Sequence, residues 1–142
     1  GRSNITIKAD ADIADKSAQA WDMVVLPGGL PNAHLLRDNA QVKKVISIQA
    51  EQRKSVAAIC AAPTALAAYG ITEGKRVTSY PSCRKEMTER PPSSVYRDHG
   101  VVEDGFLITS RGAGTAVEFA LHLVKTLCGD NKAAEIRRSI VA

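Results

Sequence analysis

The sequence predicts an α/β fold in which helices cover both faces of a mostly parallel sheet, and three observations lead to that prediction. Short apolar runs alternate with stretches of helical periodicity, which is typical of strands joined by covering helices. The runs Met23–Leu26 and Val56–Ile59 are continuously apolar, as strands buried on both faces are. The chain has 142 residues without repeats or linkers, so we expect one domain over residues 1–142.

In the first half, each element follows from local patterning. Short apolar or alternating runs predict strands, an alanine-rich run predicts the first helix, and Asn39 is a favourable N-cap for the next helix. That second helix carries one stripe that faces inward, formed by Val42, Val45, Ile46 and Gln49. The predicted elements are strand Ile5–Ile7, helix Asp12–Ala20, strand Met23–Leu26, a helix from Asn39 to about Gln52, and strand Ser55–Ile59.

In the second half, glycine and proline mark where elements end. Gly70 is a usual residue after a helix, and Pro91-Pro92 stops another helix. Thr115 and Glu118 have the spacing of a capping box. The predicted elements are helix Pro63–Tyr69, strand Arg76–Ser79, helix Ser82–Glu89, a hairpin within Tyr96–Thr109 that turns at Asp104-Gly105, and helices Thr115–Cys128 and Lys132–Val141.

Composition excludes several classes of function. The net charge of +4 comes from scattered basic residues, and two Phe, three Tyr and one Trp are too few for base stacking, so we expect no nucleic-acid partner. No apolar run is long enough for a membrane span and no secretion signal is present, so we expect no membrane partner and a cytoplasmic location. Three cysteines without ligand spacing indicate a reducing compartment and no metal site.

The most informative motif is SVAAICAAPTAL, in which a buried strand runs directly into Cys60. Small residues follow and Pro63 opens a helix, which is the pattern of a sharp strand-to-helix elbow. The Cys60 side chain would then project at the carboxyl edge of the sheet, where open α/β folds bind ligands. The adjacent helix N-terminus favours the thiolate, which is both the nucleophile and the oxidisable form. The alternative is a buried structural cysteine.

A second turn is expected beside Cys60. Pro27-Gly28-Gly29 follows the neighbouring predicted strand and therefore ends at the same edge of the sheet. The backbone N–H groups of Gly29 and Ala61 would together form an oxyanion hole for a carbonyl that Cys60 attacks. A Gly-Gly turn alone is weak evidence, because any tight turn uses glycine.

The remaining histidines and cysteines give weaker signals. His99 is expected in solvent, His122 in a packed core or interface, and His34 lies nearest the Gly-Gly turn, but none has the context of a catalytic triad. Cys83, near a helix start, is expected to be an ordinary thiol, with mild thiolate character as the alternative.

Four stretches together resemble the ThiJ/PfpI superfamily, and most closely its Parkinson-disease-linked protein deglycase (glyoxalase III-like) branch. The likeness runs from about Ile5 to the end, through WDMVVLPGG, AAICAAPTAL, VEDGFLITSRGAGT and VEFALHLVKTLCG. It implies a flavodoxin-like three-layer sandwich, a homodimer, and Cys60 as the reactive cysteine of the elbow. It also implies that no metal or organic cofactor is used.

For function, the resemblance implies cysteine-dependent protection against oxidative and carbonyl stress. The implied enzyme is a glyoxalase or protein deglycase, whose partner is a small dicarbonyl such as methylglyoxal or a glycated substrate. Gly28, Arg111 and Arg2 would belong to the substrate or anion pocket, although Arg111 is equally well explained as a surface arginine. The alternative function is a non-enzymatic redox sensor or chaperone that uses oxidation of Cys60.

The sequence departs from the family pattern at three places. Relatives begin with an extra strand–helix–strand that carries a glutamate bonded to the cysteine, so we expect an N-terminally truncated domain. Such a domain could be active alone, inactive, or complemented by an N-terminal fragment. Tyr80 stands where many relatives have histidine. A phenol titrates near pH 10, so Tyr80 is expected to donate a hydrogen bond rather than act as a base. Ala113 replaces a usual proline.

Overall fold

The computed structural model describes residues 5–89 and 94–142. Its strands are β1 (Met23–Leu26), β2 (Ser55–Ile59), β3 (Arg76–Val77), β4 (Val95–Tyr96), β5 (Val101–Asp104) and β6 (Leu107–Ser110). Its helices are α1 (Ile13–Lys16), α2 (Asn32–Asp38), α3 (Ala40–Glu51), α4 (Pro63–Ala68), α5 (Arg84–Glu89), α6 (Ala116–Cys128) and α7 (Asp130–Ser139), with short 3-10 turns at Pro81–Cys83 and Ala113–Thr115.

The described strands form a mostly parallel sheet in the order β1-β2-β6-β5, while β3 pairs with β4 in a separate ribbon. β1 is parallel to β2, and β2 is parallel to β6 with Ile59 opposite Ser110. β5 is antiparallel to β6 because a tight hairpin joins them. The predicted α/β class is therefore confirmed. The carboxyl ends of β1, β2 and β6 meet at one edge of the sheet, which is where the predicted site residues lie.

Strand β2 is buried on both faces, as its apolar run predicted. Val56 and Ala58 pack in the cluster that includes Ile46 of α3, whereas Ala57 packs against Phe119 of α6. Successive side chains of a strand point to opposite faces, so helices on both sides are needed to bury this run. This double cover holds the end of β2 in place.

Helix α3 forms as its sequence predicted. Its inward stripe of Val42, Val45, Ile46 and Gln49 is buried. The side-chain oxygen of Asn39 accepts hydrogen bonds from the N–H groups of Gln41 at 2.9 Å and Val42 at 3.1 Å, which caps the helix.

Three predictions for the first half are corrected. Ile5–Ile7 is not a strand, and Ile5 and Ile7 are 69% and 87% exposed because no described strand pairs with them. The helix predicted over Asp12–Ala20 is limited to the single turn of α1. Helix α2 was not predicted, since it buries only Ala33 and therefore has almost no apolar periodicity.

Three boundaries in the second half also differ. The strand predicted over Arg76–Ser79 is the shorter β3, because the Thr78 N–H donates to the side chain of Thr109 at 2.9 Å. The helix predicted over Ser82–Glu89 begins as the 3-10 turn Pro81–Cys83 and continues as α5, and Pro91-Pro92 lies outside the described residues. The final helix begins and ends two residues earlier than predicted, as α7.

The capping box predicted from Thr115 and Glu118 is wrong. Thr115 precedes α6, but its side chain does not cap that helix. Its hydroxyl instead accepts a hydrogen bond from the Gly112 N–H at 3.1 Å and lies 2.8 Å from the Ser110 hydroxyl. The hydroxyl is already used within the turn that connects β6 to α6.

Across the described ranges, no helix combines the length and the apolar character needed to cross a bilayer. The organisation of residues 1–142 as one domain stays a prediction.

Candidate active site

Cys60 lies at the carboxyl end of β2 in a left-handed backbone conformation, with φ of 64°. For a residue with a side chain this conformation costs roughly 1–2 kcal/mol, so neighbouring contacts must hold it. The Cys60 N–H donates to the Ser110 carbonyl at 2.9 Å, and the Cys60 carbonyl accepts from the Tyr80 N–H at 2.8 Å. These two bonds fix the elbow that the sequence predicted, since both peptide groups flanking its Cα are anchored.

Gly28 packs directly against the elbow. A Cβ on Gly28 would lie 2.6 Å from the Cys60 Cβ and 2.7 Å from the Ile59 carbonyl oxygen, so only glycine fits. Asn32 holds this turn in place, because its side-chain amide donates to the carbonyls of Pro27 at 2.9 Å and Gly28 at 3.3 Å. Asn32 was not predicted as a site residue, although an asparagine shortly after a Gly-Gly turn is a recognisable signal.

Gly29 and Ala61, the two predicted oxyanion donors, line the same pocket as Cys60. Gly29 has φ of 93°, which directs the Pro27-Gly28-Gly29 turn around the end of β1. Ala61 follows Cys60 and is 4% exposed. Neither N–H group donates a hydrogen bond to any residue that the structure describes, so both are available to an oxygen atom of a ligand.

Cys60 opens into a pocket of about 630 Å³. The sulfur is half-buried and its thiol is free. The lining is mostly apolar, and its residues are Gly28, Gly29, Leu30, Ile59, Cys60, Ala61, Tyr80, Ser82, Cys83, Ala113 and Ala116. None of these lining residues carries a carboxylate or an imidazole, so the pocket itself supplies no ordinary general base.

Tyr80 forms one wall of this pocket. Its backbone N–H binds the Cys60 carbonyl, and its ring lies beside Gly112, where a Cβ would be 3.5 Å from Cδ2. The side chain is 48% exposed, and its hydroxyl has no hydrogen-bond partner among the described residues. The hydroxyl is therefore available to a bound ligand.

Cys83 also lines the pocket, at the end of the 3-10 turn that follows Tyr80. Burial raises the pKa of the Cys83 thiol, and the negative charges of Glu86 and Cys60 raise it further. A hydrogen bond with Ser82 lowers this pKa, but the net direction is upward. This environment opposes the mild thiolate character that was the alternative for Cys83.

The glycine-rich turn between β6 and α6 completes the pocket. The Ser110 hydroxyl donates to the Gly100 carbonyl at 2.9 Å, and its contact with Thr115 closes the turn. This arrangement brings Ala113 and Ala116 to the pocket wall. Ser110 was missed by sequence reasoning because its role depends on β6 lying beside β2.

The predicted arginines lie elsewhere. The Arg111 guanidinium is 3.5 Å from the Asp98 carboxylate, which also pairs with Arg84 at 2.9 Å, and Arg111 does not line the pocket. The environment of Arg111 therefore matches the surface alternative more closely than an anion pocket. Arg2, the other predicted pocket arginine, lies outside the described residues.

The histidines also lie away from the pocket. His122 Nε2 is 2.6 Å from a carboxylate oxygen of Glu103, whereas His34 and His99 are exposed. Within the described ranges, no group of three or more His, Cys, Asp or Glu side chains is arranged to hold a metal ion.

Comparison with known proteins identifies close relatives along nearly the whole chain. Residues 1–126 match the model of the DJ-1/PfpI family. The chain is 39% identical over 138 residues to protein dj-1beta of Drosophila melanogaster, covering 97% of this chain and 73% of that protein. It is 36% identical over 126 residues to the glutathione-independent glyoxalase DJR-1.2 of Caenorhabditis elegans, covering 89% of this chain and 66% of the relative.

Solved structures show the same architecture. The crystal structure of Drosophila melanogaster DJ-1beta matches with a TM-score of 0.93 at 38% identity, covering 99% of this chain and 74% of that one. A structure of Toxoplasma gondii DJ-1, described as oxidized, matches with a TM-score of 0.91 at 28% identity, covering 98% of this chain and 74% of that one. The predicted flavodoxin-like fold is confirmed by these neighbours. With its family match, its relatives and its elbow cysteine, the chain belongs to the DJ-1/PfpI family.

Proposed function

We propose that this chain carries the Cys60-dependent site of an enzyme that protects against carbonyl stress by converting small dicarbonyls, such as methylglyoxal, to 2-hydroxy acids. The observation that carries the proposal is the left-handed backbone of Cys60 at the wall of an open pocket that Gly29 and Ala61 also line. Strained backbone of this kind is concentrated at functional sites. A structural cysteine needs neither the strain nor the pocket.

In the proposed reaction, the Cys60 thiolate adds to the aldehyde carbon of the dicarbonyl. The electron pair of the C=O bond moves to oxygen, and the N–H groups of Gly29 and Ala61 donate to that oxygen as its charge develops. The hydrogen on this carbon then leaves as a proton, its electron pair forms a C=C bond to the neighbouring carbon, and the oxygen of the second carbonyl takes up a proton. A proton next adds to the second carbon while the first oxygen forms its C=O bond again. The product is a thioester, which water hydrolyses to release the 2-hydroxy acid and the Cys60 thiol.

The described pocket offers few side chains that could transfer the protons of this reaction. Its polar side chains are Tyr80, Ser82 and Cys83, none of which is an effective base near neutral pH. Tyr80 donates a hydrogen bond to the substrate in our proposal, and the protons travel through water or a group outside the described residues.

The named relatives support this proposal. The Caenorhabditis elegans relative is called a glutathione-independent glyoxalase, and it shares 36% of its aligned residues with this chain. The same thiolate could attack the carbonyl-derived carbon of a glycated thiol or amine. The bond from that carbon to the protein sulfur or nitrogen would then break, and the released group would take up a proton, which would make the enzyme a protein deglycase. We propose further that it acts in the cytoplasm as a homodimer, as the resemblance implies, with residues 1–142 forming one domain.

The test is turnover of methylglyoxal by the purified full chain, followed as lactate formation. The wild-type chain should form lactate, and Cys60→Ser should form none above the uncatalysed rate. Cys128→Ser is the matched control, because Cys128 is an exposed cysteine at the end of α6 and should leave the rate unchanged. Equal rates for the wild type and Cys60→Ser would rule the proposal out.

A redox sensor is the second candidate, because no carboxylate or imidazole lies among the described residues that line the pocket. A thiolate without a proton relay is still oxidised by peroxide. The oxidized state named for the Toxoplasma gondii neighbour agrees with this chemistry in the family. Selective oxidation of Cys60 without lactate formation would favour the sensor, and chaperone activity would be assayed on the same oxidised material.

A further inference from the structure

Cys83 is a second sulfur in the Cys60 pocket that the proposed reaction does not use. Both thiols are free and half-buried, and both line the pocket of about 630 Å³. The third cysteine, Cys128, is exposed at the end of α6 and lines no part of that pocket. The pocket therefore contains two thiols, separated from the third.

A short hydrogen-bonded path connects the two cysteines. The Cys60 carbonyl accepts from the Tyr80 N–H at 2.8 Å, and the Tyr80 carbonyl accepts from the Cys83 N–H at 2.8 Å. Cys83 ends the single 3-10 turn Pro81–Cys83. A disulfide requires Cα atoms within about 7 Å, and Cys83 lies on a single short turn whereas Cys60 follows the buried strand β2.

From this arrangement we infer that Cys60 and Cys83 form a two-cysteine redox site, in which a peroxide oxidises Cys60 and Cys83 then resolves it as an intramolecular disulfide. The inference rests on the reactivity of Cys60 in the proposed function. It assigns to Cys83 the role of the resolving thiol.

Each step balances. The Cys60 thiolate attacks one oxygen of hydrogen peroxide, the O–O bond breaks, and the hydroxide that leaves takes up a proton to become water. The product is a sulfenic acid on Cys60. The Cys83 sulfur then attacks the Cys60 sulfur, the S–O bond breaks, and the oxygen leaves with the Cys83 proton as water. Two thiols and one peroxide give one disulfide and two waters.

The environment of Cys83 fits the second step rather than the first. Burial keeps its thiol protonated near neutral pH, so it competes poorly for the peroxide. The charge of Cys60, one of the causes of the raised pKa of Cys83, disappears when Cys60 becomes a neutral sulfenic acid. Resolution is then favoured over further oxidation of Cys60 to sulfinic acid, which is irreversible without a dedicated repair enzyme.

The test treats the full chain with a small excess of hydrogen peroxide, blocks remaining thiols by alkylation, and measures intact mass and linked peptides. Measured before alkylation, the wild type should lose two hydrogen atoms and return to its original mass with dithiothreitol, and the digest of the alkylated protein should contain a linked Cys60–Cys83 peptide. Cys83→Ala should instead gain two oxygen atoms on Cys60 and resist dithiothreitol. Cys128→Ala should behave as the wild type, which excludes exchange with the exposed thiol.

Three results would overturn the inference: a Cys60 that peroxide leaves unmodified, a sulfinic acid that forms equally fast in the wild type and Cys83→Ala, or a disulfide that requires Cys128. The lactate assay on the unoxidised wild type and Cys60→Ser distinguishes failure of this inference from failure of the proposed function. Lactate formation that depends on Cys60, without a Cys60–Cys83 disulfide, would refute the two-cysteine site and leave the proposed activity standing. A Cys60–Cys83 disulfide without lactate formation would refute the proposed activity and leave the two-cysteine site standing.

Discussion

Gly28 lies so close to Cys60 that a Cβ on Gly28 would come within 2.6 Å of the Cys60 Cβ. The backbone of the turn after β1 therefore packs directly against the Cys60 side chain of the elbow after β2. This contact leaves no room for a side chain on Gly28 beside the reactive cysteine.

Gly28→Ala should consequently destabilise the protein and reduce its activity. Overpacking of this kind costs about 1–3 kcal/mol of unfolding free energy, because the Ile59 carbonyl beside it is backbone that cannot rotate away. Urea denaturation measures the loss, and the lactate assay should show a lower rate. Gly114→Ala is the control, since a Cβ there meets no atom within 4 Å, and it should change stability by less than about 0.5 kcal/mol. Equal stabilities of the two variants would contradict the packing argument.

The positive φ of Cys60 predicts that any residue with a Cβ at this position, including the cysteine needed for activity, lowers the stability of the folded protein. Cys60→Gly and Cys60→Ala both remove the sulfur, but only alanine retains the strain of a Cβ at φ of 64°. We expect Cys60→Gly to be more stable than Cys60→Ala by up to about 1 kcal/mol in urea denaturation.

The same pair of substitutions at Cys128 provides the comparison. Cys128 is the last residue of α6, where glycine is a poorer helix former than alanine. The order of stabilities should therefore reverse at Cys128. Glycine ranking below alanine at both positions would show that the Cys60 backbone carries no strain.

Tyr80 offers a test of the hydroxyl separately from the backbone. Tyr80→Phe retains the backbone hydrogen bond to the Cys60 carbonyl and the ring contact with Gly112, and it removes only the hydroxyl. A hydrogen bond formed in the transition state contributes about 1 kcal/mol or more, so we expect kcat for methylglyoxal to fall about tenfold with KM little changed. Unchanged kcat would show that the hydroxyl does not contact the reacting oxygen. The melting temperature of Tyr80→Phe, expected to equal that of the wild type, checks the fold.

Asp104 predicts a specific loss of stability in acid. The Arg76 N–H donates to its carboxylate at 2.9 Å, and this bond, together with the Arg76 side chain and Lys75, holds the pKa of Asp104 below its ordinary value. A carboxyl whose pKa is lower in the folded state stabilises the protein above the unfolded pKa near 3.9, and that contribution disappears as pH falls through the folded pKa.

Asp104→Asn should therefore lower the urea midpoint at pH 7 and differ less from the wild type as the pH falls below about 4. The exposed Asp10, replaced by asparagine in the same way, should show no comparable change at pH 7. A stability difference at Asp104 that stays constant from pH 7 into strong acid would contradict the assignment to its charge.

Elements with strong local signals, and the location of the reactive sulfur, could be predicted from the sequence alone. The Asn39 cap, the stripe of α3, the apolar run of β2 and the elbow pattern around Cys60 depend on contacts within a few residues, which the sequence displays directly. By contrast, α2 buries a single residue, so local periodicity could not reveal it. Ile5–Ile7 alternates as a strand does, but alternation produces a strand only when a neighbouring strand is available to pair with it.

The neighbours of that sulfur follow from the tertiary structure. The parallel register of β2 and β6 places Ile59 opposite Ser110, whose carbonyl accepts from the Cys60 N–H. Cys83 lines the pocket beside Tyr80, whose N–H donates to the Cys60 carbonyl. Arg111 pairs with Asp98 and does not line the pocket. Local sequence specifies a turn through steric and capping preferences, whereas the neighbours of that turn depend on long-range burial, which joins segments that carry no sequence signal of their proximity.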